Sequence, residues 1–476
     1  MKNKTLIIAG LLALLVLCSA ILFAAPPVDK SSTITGIWVG ALKIPGAAEL
    51  RMGVTITENV DNSLKATLRI IDQNTGDIPC DEAAFTENKF RLKINNLGIE
   101  IEGPVSLENN SIAAEFRQGG ARFDVPLTRV EKMPELKRPQ EPKRPFPYQE
   151  EEVVYENVKA GVKLAATLTC PKSGGPFPAV VLITGSGQQN RDEEGFGHKT
   201  FLVLADHLTR AGIAVLRADD RGVGGSSGNF ALSTTKDFAE DALAGVSYLS
   251  NRKEINPQKI GLLGHSEGGL AAPIAAAESK DVAFLVLMAG PGIGFEQLVI
   301  SQVLEQLKLE GTSAENMELE RAWRTSIYSL FKHGLDSTAI DAGIRKLYAG
   351  LSEEEKTRMN WPQGRLEYEI KRSLSPWWFY SLSCEPQSVL SQVKCPVLAI
   401  NGEKDKQVPA EMNLPAIKAA LEQGGNKNYL VKALPGLNHL FQTAETGSEY
   451  EYGRIEETIA PEALQLISNW IDQQVK

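Results

Sequence analysis

Histidine and cysteine are scarce in this chain of 476 residues, with five of each. Five cysteines over this length are too few for a disulfide scaffold, and no C-x-x-C pair is present to hold zinc. No basic run stands out, and 50 Lys and Arg stand against 59 Asp and Glu, a formal net charge of −9. A phosphate backbone needs a cationic footprint, so nucleic acid is excluded as a partner. With 43% hydrophobic and 23% charged residues the chain is not mainly disordered. Its length corresponds to about two to four domains.

Only one segment is apolar enough to enter a bilayer. Lys2 and Lys4 precede a low-polarity run over residues 6–25. This reads as an export signal or, since about 20 residues span a bilayer, as an uncleaved membrane anchor. Small residues allow cleavage after Ala20, whereas Pro26 and Pro27 disfavour cutting after Ala25. Lipidation of Cys18 is the weaker reading, because Leu17 stands where a small residue normally precedes the lipidated cysteine. Each reading puts the body of the protein outside the cytoplasm, as a periplasmic, secreted or membrane-anchored protein. A Cys384–Cys395 bridge is conceivable there. The plainer expectation is a buried free thiol, since Cys395 opens an apolar strand.

Residues 32–131 read as an all-β domain. Strand alternation is clear at 64–70 and 90–94, with turn chemistry at Asn62, Asn96, Asn110 and Gly120. A sandwich or small barrel fits this spacing. Gly36 and Trp38 are similar to the first strand of lipocalin-like barrels, and no nucleophile, base or metal cluster accompanies them. The stretch 132–150 holds Pro134, Pro139, Pro142, Pro145 and Pro147 among charges, which predicts an extended, stiff linker. From 151 to 476 strands and helices alternate. After a hairpin at 152–169, apolar strands are predicted at 179–183, 214–217, 260–263, 284–288, 397–400 and 429–431. Helices are predicted at 201–210, 235–250, 268–278 and 460–471. This is an α/β pattern with a mostly parallel sheet covered on both faces. Residues 292–383 break the alternation with helical periodicity and end in Trp377, Trp378, Phe379 and Tyr380. They predict a helical cap inserted over the carboxyl ends of the strands.

Gly264-His265-Ser266-Glu267-Gly268 is a G-x-S-x-G sequence placed between an apolar strand and a helix. That context marks the nucleophile turn of an α/β-hydrolase fold. A serine nucleophile needs a general base oriented by a carboxylate, in the chain order nucleophile, acid, histidine. Of the five histidines, His198, His207 and His265 precede or flank Ser266, and His333 falls in the cap. His439 lies just after the last strand, where the base belongs. The acid should follow the penultimate strand, where Asp405 is preferred over Glu403. Two backbone N–H groups should form the oxyanion hole. One is that of Glu267. The other lies in the turn 184–188, at Ser186 by position, with Gly187 and Gln188 as neighbouring alternatives. Asp219, Asp220 and Arg221 are expected to fix the loop beside the site by ion pairs. Trp377 to Tyr380 read first as cap core and second as pocket lining.

The motifs Thr184-Gly185-Ser186-Gly187, Asn190-Arg191-Asp192, Asp219-Asp220-Arg221-Gly222, Gly264-His265-Ser266-Glu267-Gly268 and Asn438-His439 carry a resemblance. With Gly402, Asp405 and the strand after Cys395, they make the chain similar to secreted bacterial serine carboxylesterases of the α/β-hydrolase superfamily. The branch is that of the prolyl oligopeptidase-like and dienelactone hydrolase-like enzymes. The resemblance implies hydrolysis of short-chain esters, a small-molecule partner, no cofactor and no metal, and a cap that shapes the pocket. Thr184 departs from the histidine found there in many relatives. Two other readings stand beside it: a prolyl-oligopeptidase-like peptidase, and an envelope ligand-binding protein with secondary hydrolase activity. The first usually carries a β-propeller, and no blade-length repeat is visible here.

Overall fold

The computed structural model describes residues 33–43, 49–73, 75–118, 120–309, 311–331, 335–359 and 364–476. The segment 6–25, Cys18 and His333 lie outside the described residues.

The amino-terminal domain is a nine-stranded antiparallel meander: β1 (Gly36–Lys43), β2 (Glu49–Glu58), β3 (Leu64–Ile70), β4 (Ile78–Pro79), β5 (Glu82–Thr86), β6 (Lys89–Ile94), β7 (Ile99–Ser106), β8 (Ser111–Gln118) and β9 (Ala121–Val130). The order is β4-β3-β2-β1-β9-β8-β7-β6-β5. Its two ends meet, because β4 runs directly into β5. Cys80 N–H donates to Ala66 O on β3 at 3.0 Å, and Asp81 N–H donates to Lys93 O on β6 at 2.8 Å. The sheet therefore closes into a barrel, which leaves no long open edge. Alternate residues point inward, and Trp38, Met52, Leu68, Phe90 and Ile101 fill the interior. The Arg129 guanidinium lies 5.1 Å from the Trp38 ring centroid, and the Trp38 indole N–H donates to Ile34 O at 2.9 Å.

The proline-rich stretch has no helix or strand up to residue 148, as its composition requires. It is not a free spacer, however. Arg138 donates to four carbonyls of the next domain, those of Phe196, Gly197, Gly453 and Ile455. Gln140 donates to Ile459 O and accepts from the N–H groups of Thr458 and Ile459. Side-chain valences invisible to a count of prolines tie the linker to the next domain.

That domain has β10 (Gln149–Asn157), β11 (Val162–Cys170), β12 (Phe177–Ile183), a short hairpin of β13 (Glu194–Gly195) and β14 (His198–Lys199), β15 (Ala214–Ala218), β16 (Ile255–His265), β17 (Leu285–Met288), β18 (Val397–Gly402) and β19 (Tyr429–Leu434). Eight of them form one sheet in the order β10-β11-β15-β12-β16-β17-β18-β19. From β15 to β19 all neighbours are parallel, and β11 alone runs against the rest. This order, with the second strand reversed, is the α/β-hydrolase fold. The side-chain period of two divides each strand between two cores. Val181, Leu262 and Ala399 face α2 (Thr235–Ser250) and α3 (Gly268–Glu278), whereas Val180, Leu263 and Leu398 face α1 (Thr200–Arg210) and the carboxy-terminal helix at Pro461–Val475. Thr234 and Asp237 form a reciprocal capping box that sets the start of α2.

The cap consists of α4 (Phe295–Leu309), α5 (Ala314–Phe331), α6 (Ser337–Gly350), α7 (Glu353–Arg358), α8 (Arg365–Ser373) and α9 (Pro376–Ser383). It has its own core around Trp323, Ile327, Tyr328, Ile340 and Trp378. Two helices, α10 (Pro386–Leu390) and α11 (Ala410–Gln423), complete the sheet's covering before α12 (Pro461–Val475). Cys80, Cys170, Cys384 and Cys395 are all free, so the conceivable Cys384–Cys395 bridge is not formed.

The barrel meets the second domain where its turn at Ile71–Gln73 packs on the segment Glu449–Arg454. A Cβ on Gly453 would lie 1.4 Å from the Asp72 carbonyl oxygen. Gly453→Ala should therefore lower stability by about 1–3 kcal/mol, the range for an overpacked contact. Thermal unfolding checks this, and an unchanged midpoint would show that the two domains do not approach so closely.

Candidate active site

The turn between β16 and α3 depends on backbones approaching closer than any side chain permits. A Cβ on Gly264 would lie 1.9 Å from Gly268 O, and one on Gly268 would lie 2.1 Å from Ile183 O. Ser266 between them has φ +52°, a left-handed conformation that serine rarely adopts. Its N–H donates to Met288 O on β17 at 2.8 Å, which fixes the turn to the sheet. The structure thus places Ser266 on a strained strand-to-helix turn.

His439 and Asp405 come from turns after β19 and β18. His439 Nδ1 lies 2.8 Å from Asp405 Oδ2. The other carboxylate oxygen accepts the N–H groups of Gln407 and Val408, both at 2.8 Å, so the acid is buried and fixed. Glu403, the alternative acid, is exposed and accepts only from Gly436 N–H at 3.3 Å. The His439 carbonyl lies 3.0 Å from Nε2 of His265, the residue preceding Ser266, which brings the base loop to the serine turn. The remaining described histidines do other work. His198 is buried between Thr458 and the Tyr452 carbonyl, and burial pushes it down to about 4. His207 bonds to Ser468.

At the oxyanion turn, Gly185 N–H is committed to Glu193 Oε1 at 2.8 Å, as Ser266 N–H is to Met288. The N–H groups of Ser186 and Glu267 have no protein acceptor among the described residues, and both residues line the cavity that holds Ser266. Thr184 donates its hydroxyl to Asp220 Oδ1 at 2.6 Å.

Asp219 and Arg221 form the expected ion pairs. Asp219 binds Arg191, and Arg221 binds Asp237 and Asp241. Asp220 does not. Its carboxyl accepts from Thr184 and from Gln189 N–H at 2.8 Å, bracketing the candidate oxyanion turn at both ends, with no cation paired to it among the described residues. Burial pushes it up to about 7, reinforced by Glu267 and Glu193 and opposed by its two hydrogen bonds.

The cavity at Ser266 has a volume of about 240 Å3. Leu270, Ile293, Leu298, Val299, Phe295 and Val408 give it apolar walls, and Trp377 and Trp378 close it from the cap. Trp377 and Trp378 are thus both cap core and pocket lining, whereas Phe379 and Tyr380 do not line the cavity. Two larger, open grooves of about 710 and 870 Å3 lie along the cap, and the first abuts the cavity through Gln302 and Val303. Sequence reasoning assigned Glu267 only through its N–H. Its buried carboxyl also accepts from Thr235 Oγ at 2.7 Å and Trp377 Nε1 at 2.6 Å, tying the serine turn to α2 and the cap. Burial raises this carboxyl. Glu193 was missed altogether, since no spacing rule points to it.

Because the folded-state value of Asp220 lies above that of an unfolded aspartate, the native state binds the extra proton between about pH 4 and 7. Its contribution to stability is full below that window and is lost as pH rises through about 7. Asp220→Asn should therefore gain stability relative to the parent as pH goes from 5 to 8. Denaturant midpoints at the two values measure this, and a difference independent of pH would refute it.

The chain has relatives among known proteins. Residues 198–349 match the family model described as serine aminopeptidase, S33, which runs from β14 through the serine turn into the cap. Over 429 residues the chain is 26% identical to esterase EstD of Thermotoga maritima, covering 88% of each chain. An uncharacterized 31.7 kDa protein of Escherichia coli is 23% identical over 56% of this chain and 85% of its own length. Among solved structures, a hypothetical protein of Pseudomonas aeruginosa, PA2218, aligns with a TM-score of 0.44 and 18% identity over 73% of this chain and 99% of its own. The chain is an α/β-hydrolase-fold protein with an esterase among its relatives.

Proposed function

We propose that the protein is a serine carboxylesterase acting on short-chain esters through an acyl-enzyme. The observation that carries this reading is the strained Ser266 turn beside the His439–Asp405 pair, opening on a small apolar cavity. Ser266 Oγ attacks the ester carbonyl while His439 Nε2 takes its proton, and Asp405 holds the imidazole through Nδ1. The N–H groups of Ser186 and Glu267 receive the oxyanion. The tetrahedral adduct collapses as His439 returns the proton to the departing alcohol. Water then repeats the sequence on the acyl-enzyme, releasing the acid and free Ser266.

A cavity of about 240 Å3 is below the range of about 300–1,000 Å3 usual for ligand sites, which supports short acyl groups. Kinship with EstD over most of both chains supports an ester substrate. The family model named for a serine aminopeptidase supports the second reading, a peptidase using the same residues. Against a ligand held inside the barrel stands its filled interior, with Trp38, Met52 and Phe90 fully buried. The export-signal pattern at 6–25 supports action outside the cytoplasm.

Ser266→Ala should lower kcat on p-nitrophenyl butyrate by about 10^5-fold or more, as loss of a triad serine does. A fluorophosphonate should label the parent and not the variant. Across acyl chains of rising length, kcat/KM should peak at short chains, with aminoacyl anilides poor. Retained turnover in Ser266→Ala would overturn the mechanism, and better amide than ester turnover would favour the peptidase.

A further inference from the structure

Beneath the serine turn lies a second histidine–carboxylate pair that the mechanism does not use. His265 Nδ1 is 3.0 Å from Glu193 Oε1, and its Nε2 is 3.0 Å from the His439 carbonyl. The same Glu193 oxygen accepts Gly185 N–H at 2.8 Å. Both residues are buried, and Glu193 sits at φ +48° in its loop. Two side chains thus span the distance from the oxyanion turn to the loop of the candidate base.

We propose that Glu193 and His265 are positioning residues, a carboxylate–imidazolium pair that holds the oxyanion turn and the base loop in register around Ser266. This rests on the esterase reading of Ser266 and His439. The charge state follows from the partners. A carbonyl only accepts, so Nε2 must carry a proton to bond to His439. Glu193 Oε1 already accepts an N–H from Gly185, and in the proposed pair it accepts from Nδ1 as well. Both ring nitrogens then donate, and a histidine with two protons is a cation. The charged groups facing it are Glu193, from the loop after β12, and Asp405, from the turn after β18, and His439 stands beside it with ring centroids 4.9 Å apart. Burial opposes protonation of His265, but Glu193, the His439 carbonyl and Asp405 outweigh it and raise its proton affinity.

Glutamine at 193 keeps an oxygen for Gly185 N–H but removes the negative charge. With the amide oxygen held by Gly185 N–H, a neutral His265 cannot serve both that oxygen and the His439 carbonyl, and turning the amide to donate to Nδ1 would release Gly185. The geometry at Ser266 loosens while the apolar cavity is untouched, so kcat should fall with little change in KM.

The test uses the full-length protein labelled with 15N on histidine. With only five histidines in the chain, the His265 signals are assigned by their loss in His265→Gln. At pH 8 both His265 nitrogens should carry protons in the parent, and only one should in Glu193→Gln. On p-nitrophenyl butyrate, kcat of Glu193→Gln should fall about 10- to 100-fold, the scale of a small misplacement of reacting groups, with KM within about twofold. A neutral His265 in the parent at pH 8 overturns the proposal, as does an unchanged kcat in a folded Glu193→Gln. The spectrum of the parent decides even if that variant does not fold. Failure of the esterase reading shows separately, as turnover surviving in Ser266→Ala.

Discussion

The close passage of backbone over backbone at the serine turn is the constraint on which the rest of the site depends. Gly264 and Gly268 let β16 reverse into α3 with no side chain between them, and Ser266 is left at a φ it would not choose. Strain of this kind costs of order 1–3 kcal/mol and persists only where the surroundings over-determine it. Here they do. β17 takes the Ser266 N–H, β12 packs its carbonyl end against Gly268, and both are interior strands of a sheet buried on two faces.

Around that turn the protein uses buried carboxyls as scaffolding. Asp405 receives two backbone N–H groups and His439, Asp220 brackets the oxyanion turn, and Glu267 joins the turn to α2 and the cap. A buried carboxyl is costly unless its lone pairs are satisfied, and satisfied ones define a single geometry. Among the described residues, Asp220 and Glu267 have no cation beside them and rely on neutral donors, so burial raises both. Arginine ion pairs stand further out, at Arg191–Asp219 and Arg221–Asp241.

Much of this was legible in the sequence because it is written in periodicity. The apolar runs at 179–183, 260–263 and 397–400 can only be strands buried on both faces, and α2 and α3 begin and end at 235–250 and 268–278 as predicted. The scarcity of histidine narrowed the candidate base to His439, whose Nδ1 lies against Asp405 rather than Glu403. What was hidden depends on contacts distant in sequence. Closure of the barrel passes through the two-residue strand β4, with Pro79 in it, too short to show alternation. Asp220 looked like a partner for a cation because it adjoins Arg221, yet its neighbours in space are a hydroxyl and an amide. Glu193 lies in an irregular loop 72 residues before its partner.

The Arg138 clamp alters what counts as a module. Four carbonyls, from two segments more than 250 residues apart, share one guanidinium that belongs by sequence to the linker. The segment it grips, 449–459, also bears the barrel's turn at Asp72, and its Tyr452 and Glu457 carbonyls accept from the Gln442 amide, which is bonded in turn to Asn438 beside His439. Barrel and base loop therefore stand on one foundation. A hydrolase trimmed of everything before residue 149 would lose no part of its sheet and still be undermined, with the Gly453 and Ile455 carbonyls stripped of the Arg138 guanidinium next to the loop that carries the imidazole.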